Sequence, residues 1–155
     1  MMSHLSFTVN GSQPNGRLNV GIDMGKTRWA VNVLDTATGQ HHAHSFTGTE
    51  CRQKTLALVQ RLVASGREVD VIYEAGRNGF TPARELNQVG ANPVVLPVNK
   101  LEVVRMGKKG KTDGLDACTL SERDARAAHF PRVWVPSIGE ECRRRMIRER
   151  ERLCR

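Results

Sequence analysis

Two largely apolar runs constrain the fold of this chain more than any other feature of its sequence. They are VDVIYEA at Val69–Ala75 and NPVVLPV at Asn92–Val98, and a helical pattern near Pro82–Val89 separates them. Apolar runs of this kind are typical of strands that are buried on both faces of a parallel sheet. Strands that alternate with helices predict an α/β domain, and 155 residues are enough for one domain with a real core.

A different pattern precedes these runs. Three strand-like segments with short connections predict an antiparallel meander, and a helix is expected from Thr49 or Glu50 to Ala64. The three segments are Leu18–Gly25, Arg28–Leu34 and His41–Thr47. We therefore expect a mixed α/β sheet in which an antiparallel meander is followed by parallel strands with helices, the order found in ribonuclease H-like folds. A helix over residues 113–128 and a charged C-terminal helix from Glu140 complete the expected elements.

The charge balance favours a polyanionic partner. The formal net charge is +8 and the pI is about 9.9, which is typical of proteins that bind nucleic acid. No run of about 18 apolar residues is present, so no membrane span is expected. The first 17 residues are rich in Ser, Asn and Gly and predict a flexible N-terminal arm.

The cysteines and histidines do not predict a zinc site. The four cysteines are scattered, and none forms a CxxC pair, which fits a reducing cytosol better than a disulfide framework. Three histidines lie close together in HHAH, residues 41–44, but the sequence shows no further ligands near them. We expect these histidines to form the polar face of an edge strand.

The stretch GIDMGKT, residues 21–27, resembles a phosphate-binding P-loop only superficially. A P-loop has four residues between its two glycines, and here three residues separate Gly21 from Gly25. The stretch instead places Asp23 near the end of an apolar strand.

Four carboxylates stand out by their positions. Asp23 and Glu74 lie at the ends of predicted strands, and Asp113 and Asp116 share one face of a predicted helix. Ligands of α/β sheets bind at the carboxyl ends of the strands. Carboxylates in apolar strands cost desolvation energy unless a partner compensates them. Two Mg²⁺ ions would do so, because magnesium prefers oxygen ligands, and two such ions about 4 Å apart can cleave a phosphodiester.

Each of these acids also has an ordinary structural interpretation. Asp23 fits a turn residue, and Glu74 fits a surface ion pair with Arg77 or Arg84. Asp113 fits a helix N-cap. Asp116 fits an acidic residue in the first helical turn, where the helix dipole favours negative charge. The four acids occur together at predicted strand ends and on one helix, and a basic segment directly precedes the helix. This combination favours a functional site over four unrelated structural roles.

The basic segment is RMGKKGKT, residues 105–112, which contains no acidic residue. Lysines and arginines here would contact phosphates and position nucleic acid without reading its sequence. The alternative is a solvated surface loop. The candidate nucleic-acid-binding residues in and near the site are Lys26, Arg77, Arg105, Lys108, Lys109 and Lys111.

These motifs together resemble a known family. GIDMGK with Asp23, YEAGRNGF with Glu74, KTDGLDA with Asp113 and Asp116, and the tail VPSIGEECRRRMIRERERL resemble the DEDD transposases of the insertion sequence 110 family, which are related to the Piv/MooV DNA invertases. The resemblance runs from about Val20 to the C-terminus. Gly114 departs from it, since many relatives carry a basic residue there.

The resemblance implies a RuvC-like catalytic domain over residues 18–130, after an arm at 1–17. It implies that Asp23, Glu74, Asp113 and Asp116 bind two Mg²⁺ ions, for which Mn²⁺ can substitute. The implied activity is DNA cleavage and strand transfer in the bacterial cytoplasm, with a guide RNA as a further partner and a homo-oligomer as the assembly. Residues 131–155 would be a linker and the start of a charged helix that leads to a serine-bearing second domain, so we expect a truncated chain.

Two alternatives of other classes remain open at this point. Asp23, Gly25 and Thr27 also match the DxGxT phosphate motif of actin-like ATPases and sugar kinases, although the sequence shows no second such motif. A non-catalytic nucleic-acid-binding module would need only the positive charge.

Overall fold

The computed structural model of the protein describes residues 16–97, 113–127 and 129–154, which contain one five-stranded sheet and four helices. The strands are β1 (Leu18–Met24), β2 (Arg28–Asp35), β3 (His41–Thr47), β4 (Val69–Glu74) and β5 (Asn92–Leu96). The helices are α1 (Cys51–Ala64), α2 (Thr81–Gln88), α3 (Asp113–Ser121) and α4 (Ile138–Leu153).

The sheet has the mixed topology that the sequence predicts. Its strand order is β3-β2-β1-β4-β5, with antiparallel pairing from β3 to β1 and parallel pairing from β1 to β5. The meander therefore supplies one half of the sheet, and the strands that alternate with helices supply the other. The central strand β1 joins the two halves, because it pairs with β2 on one side and with β4 on the other.

The two faces of the sheet carry different cores. Val20 and Ile22 of β1 point toward the larger core, which also contains Leu58 and Val59 of α1 and Leu86 of α2. The smaller core lies on the other face, where Leu120 of α3 packs with buried side chains of β4 and β5; it comprises Ile72, Val94, Leu96, Leu120 and Ala125. Side chains alternate along a strand, so Gly21 and Asp23 belong to the α3 face.

Helix α3 lies unusually close to β1 at Gly21. A Cβ atom on Gly21 would lie 2.0 Å from the carbonyl oxygen of Ala117 and 2.6 Å from the backbone nitrogen of Ser121. Only glycine leaves room for this approach. Gly21 therefore determines how closely α3 can dock on the sheet.

Helix α3 is shorter than the sequence predicts, since it ends at Ser121 and not at Ala128. After it, the Asp124 carboxylate accepts a hydrogen bond from the backbone nitrogen of Arg126 at 3.0 Å, the local bond that Asp uses in turns. The Arg126 side chain donates to buried Asp70 at 3.1 Å, and Ala125 enters the smaller core. These tertiary contacts override the helical tendency of the segment.

Helix α4 begins at Ile138, two residues before the expected start. Ser137 and Glu140 form a reciprocal capping box that satisfies backbone donors at its N-terminus. Arg84 of α2 holds this end of the helix by an ion pair with Glu141 and a 2.9 Å hydrogen bond to the carbonyl oxygen of Pro136. No residue of α4 itself is buried.

Among the described residues, no helix has the length and apolar character needed to cross a bilayer.

A bidentate ion pair lies beside the start of β1. Arg67, just before β4, donates two hydrogen bonds of 2.7 Å to the carboxylate of Asp35 at the end of β2. Its Nε atom donates to the carbonyl oxygen of Gly16 at 3.0 Å. The hydrogen bonds from Arg67 lower the pKa of Asp35 from 3.8 to about 2. The ion pair thus links the meander to the parallel half of the sheet.

We predict that Gly21→Ala lowers the free energy of unfolding by at least about 1–3 kcal/mol, because the added methyl group meets rigid backbone. Urea unfolding monitored by circular dichroism measures this change. Gly114→Ala is the matched control, since a Cβ on that exposed helical residue meets nothing within 4 Å. It should leave the stability unchanged or raise it by up to about 1 kcal/mol. Equal effects of the two substitutions would contradict the close approach at Gly21.

We predict that Asp35→Asn lowers the free energy of unfolding by about 2 kcal/mol at pH 7, because the ionised carboxylate is the form that Arg67 stabilises. The folded-state pKa lies below the unfolded one, so this stabilisation is present above about pH 4. It is lost as the pH falls toward 2, and the stability curves of wild type and variant should converge there. Urea unfolding from pH 7 to pH 2 gives both curves.

Glu50→Gln serves as the control for the Asp35 experiment. Glu50 forms an exposed i,i+4 ion pair with Lys54, and such pairs contribute no more than about 0.5 kcal/mol. If the free energies of unfolding of wild type and Asp35→Asn differ by the same amount from pH 7 to pH 2, the ion pair between Asp35 and Arg67 does not stabilise the fold as described.

Candidate active site

The strand register places Asp23 and Glu74 side by side. Ile22 pairs with Tyr73 across the parallel β1–β4 ladder, so Asp23 and Glu74 are the next residues in register on the two strands. Neighbouring strands lie about 4.8 Å apart. Gly21 pairs with Ile72 of the smaller core, so both acids lie on the face that α3 covers. Both are half-buried, and the Oε1 atom of Glu74 is fully buried.

Helix α3 brings further acids to the same end of the sheet. Its last turn is fixed near the middle of the sheet, because Asn32 of β2, the register partner of Gly21, donates a 2.7 Å hydrogen bond to Ser121. Farther along, the Asn19 side chain donates to the carbonyl oxygen of Arg123 at 3.4 Å. The chain therefore runs antiparallel to β1 here, from the end with Asp23 toward the end with Leu18.

This direction places the first turn of α3 over the strand end that carries Asp23 and Glu74. Asp116 is half-buried and immediately precedes Ala117, the residue in contact with Gly21. Asp113 opens the helix, three residues earlier. Two strand ends and one helical turn thus bring the four sequence positions to the same region of the domain.

Tyr73 holds the segment that follows Glu74. Its side chain is fully buried, and its hydroxyl accepts a 3.2 Å hydrogen bond from the backbone nitrogen of Ala83 in the first turn of α2. The same hydroxyl donates to the carbonyl oxygen of Gly79 at 3.4 Å. Burial raises the pKa of Tyr73 to about 12, so the hydroxyl stays neutral and keeps both bonds over the ordinary pH range. Tyr73 therefore anchors the loop after Glu74 to the start of α2.

Two of the six basic residues predicted to contact nucleic acid lie at this end of the sheet. Lys26 follows β1 in the turn to β2, Arg77 follows β4, and both are exposed. The other four fall in the segment 98–112, outside the described residues: Arg105, Lys108, Lys109 and Lys111.

The donor set suits a hard divalent cation. Asp23, Glu74 and Asp116 present carboxylate oxygens, which are the ligands that Mg²⁺ and Mn²⁺ prefer in proteins. Asp23 and Glu74 lie half-buried at the ends of neighbouring strands, and a bound cation would offset the cost of desolvating their charges.

Some residues that shape this region are not evident from the sequence. Gly21 and Tyr73 position the acids through contacts with α3 and α2, and neither role leaves a local signal in the sequence.

A second group of potential metal ligands lies on the side of α3 that faces β3. It comprises His41, Cys118 and Glu122. His41 and Cys118 are 77 residues apart, so no spacing motif could reveal their proximity.

Comparisons with known proteins found similarities both in sequence and in fold. The chain matches no protein-family model. It is 28% identical over 150 residues to the protein named "Putative transposase y4rJ" of Sinorhizobium fredii, a match that covers 89% of this chain and 38% of that protein. The chain therefore spans well under half the length of this relative.

One structural neighbour is the large terminase nuclease from thermophilic phage G20c, in a crystal structure with bound zinc. The TM-score is 0.54 at 18% identity, and the match covers 70% of this chain and 81% of that chain. This likeness, with the mixed sheet and its strand order, identifies the fold as ribonuclease H-like, as the sequence predicts.

We predict that Tyr73→Phe lowers the free energy of unfolding by about 1–2 kcal/mol, because it leaves the buried Ala83 amide without its acceptor. Amide hydrogen exchange measured by NMR should show faster exchange at Ala83. The amide of Leu86, inside the same helix, is the internal control and should change less. Unchanged exchange at Ala83 would mean that the Tyr73 hydroxyl does not cap α2.

Proposed function

We propose that this chain is the metal-dependent catalytic domain of a DNA transposase or recombinase and cleaves DNA phosphodiesters. The observation that carries the proposal is the placement of Asp23 and Glu74 on one face, at adjacent parallel strand ends, beneath the helical turn that bears Asp116. The relative named as a transposase and the fold of a phage nuclease support the same class of reaction.

In this proposal Asp23, Glu74, Asp113 and Asp116 hold two Mg²⁺ ions, for which Mn²⁺ can substitute. The bound ions supply charge stabilisation at the scissile phosphate and an activated nucleophile. The protein fixes the carboxylates on rigid elements, since the β1–β4 ladder carries two of them and the docked helix α3 carries the others. The partly buried setting limits water around the acids and strengthens their interaction with a cation.

Lys26 and Arg77 bind the DNA backbone beside the acids in this proposal. Both are exposed at the same end of the sheet, and their charges offset the repulsion between the acids and the phosphates. The basic segment with Arg105, Lys108, Lys109 and Lys111 directly precedes α3 in the sequence and extends the same contact. The net charge of +8 supports this partner.

The finer assignment is to the DEDD transposases of the insertion sequence 110 family. It rests on the motifs GIDMGK, YEAGRNGF and KTDGLDA, which occur here in the order of that family. With it come the further proposals of a RuvC-like domain at 18–130, an N-terminal arm at 1–17 and a linker with a charged helix at 131–155. A guide RNA, a homo-oligomer and a bacterial cytoplasmic location belong to the same assignment.

Calorimetric titration of Mg²⁺ and Mn²⁺ into the wild type, Asp23→Asn, Glu74→Gln and Asp116→Asn tests the proposal. We predict that each substitution weakens metal binding at least about tenfold, because each replaces a charged carboxylate ligand by a neutral amide. Binding of a labelled DNA duplex with and without metal provides the second readout.

Asp124→Asn is the matched control for these titrations. Asp124 is an exposed acid beyond the other end of α3, near Arg17, and its removal should leave metal binding unchanged. Undiminished metal binding in the three site variants would overturn the proposal. ATP binding that requires Asp23 but not Asp116 would instead favour the actin-like or sugar-kinase function.

A further inference from the structure

A second group of metal-ligating side chains lies outside the carboxylate site. His41 begins the edge strand β3, and Cys118 and Glu122 lie at the end of α3 and just after it. One ligand atom from each residue lies within 4.8 Å of the other two. His41 and Glu122 are exposed and Cys118 is half-buried, so the group is accessible from solvent.

The two donor separations that involve Cys118 are close to those of tetrahedral zinc. The Cys118 Sγ atom lies 3.7 Å from the Nδ1 atom of His41 and 3.7 Å from the Oε1 atom of Glu122. Zinc bonds of about 2.3 Å to sulfur and about 2.0 Å to nitrogen or oxygen, at tetrahedral angles, separate the ligand atoms by roughly 3.5 Å. The two separations that involve Cys118 therefore need to change by only a few tenths of an ångström, and the His41 and Glu122 ligand atoms already lie within 4.8 Å of each other.

The register places the three donors on one surface. His41 pairs with Leu34 of β2, two positions from Asn32, and therefore lies on the face that α3 covers. The Asn32 amide contacts both His41 Nδ1 at 2.9 Å and Ser121 Oγ at 2.7 Å. Asn32 thus orients the imidazole toward the last turn of α3 in the absence of an ion. An ion bound at Nδ1 would replace this contact and leave the bond from Asn32 to Ser121 in place.

These donor types disfavour Mg²⁺, the ion proposed for the carboxylate site. Thiolate and imidazole are ligands for zinc and similar borderline ions, whereas Mg²⁺ prefers oxygen. A metal ion bound here would require the Cys118 thiol to release its proton to solvent.

We propose that His41, Cys118 and Glu122 form a Zn²⁺ site with water as the fourth ligand. The ion would join the edge strand β3 to the end of α3, the helix whose first turn carries Asp113 and Asp116. This site is independent of the proposed DNA chemistry, because it shares no residue with the carboxylate site.

Titration of Co²⁺ into the intact chain tests the site. Tetrahedral Co²⁺ with a thiolate ligand shows intense visible bands and a sulfur-to-metal charge-transfer band in the near ultraviolet, which a pure carboxylate site does not produce. The wild type should show these bands at one equivalent, Zn²⁺ should abolish them, and excess Mg²⁺ should not. Zn²⁺ should also raise the melting temperature of the wild type.

Cys118→Ser should abolish the charge-transfer band, and His41→Ala and Glu122→Gln should each weaken Co²⁺ binding at least about tenfold. Cys142→Ser with Cys154→Ser is the control, since both thiols are exposed on or beside α4, and it should leave the bands unchanged. If Cys118→Ser does not fold by circular dichroism, the exposed His41 variant decides. No charge-transfer band in the wild type, or a band that depends on Cys142 or Cys154, would overturn the proposal.

Discussion

The contact between Gly21 and the backbone of α3 is the constraint on which the candidate site depends. It joins a helix to the central strand so closely that no side chain fits between them. Because this helix carries Asp113 and Asp116 while the sheet carries Asp23 and Glu74, the four positions converge only if the helix is docked. The larger core on the other face stabilises the sheet but does not itself bring the acids together.

Much of the sheet follows from local sequence patterns. β3 has the bounds that alternation predicts, and β1 and β4 differ from prediction by one residue, because strand periodicity and flanking turn residues are local signals. The end of α3 was predicted wrongly at Ala128, because a local turn at Asp124 is held in place by a contact with a distant residue. Buried Asp70, which binds Arg126, is 56 positions away along the chain.

The residues of the candidate sites also differ in whether a local sequence pattern could indicate them. Asp23 and Glu74 could be placed because each ends a recognisable strand, and parallel pairing brings such ends together. The histidines of β3 were correctly placed on an edge strand, and the fold brings His41 close to two further potential ligands that the sequence did not indicate. Its neighbours Cys118 and Glu122 reach it only through the docking of α3. Sequence spacing therefore reveals sites within a motif better than sites between distant elements.

The register between β1 and β4 has a consequence for how such a domain can vary in length. Side chains alternate faces along a strand, so inserting or deleting one residue inside either strand would turn its terminal acid toward the apolar core. The turns after β2 and after α1 carry no such restriction, because each lies outside the paired segments. Natural length variation among related domains should therefore collect in those turns and be absent from Leu18–Met24 and Val69–Glu74.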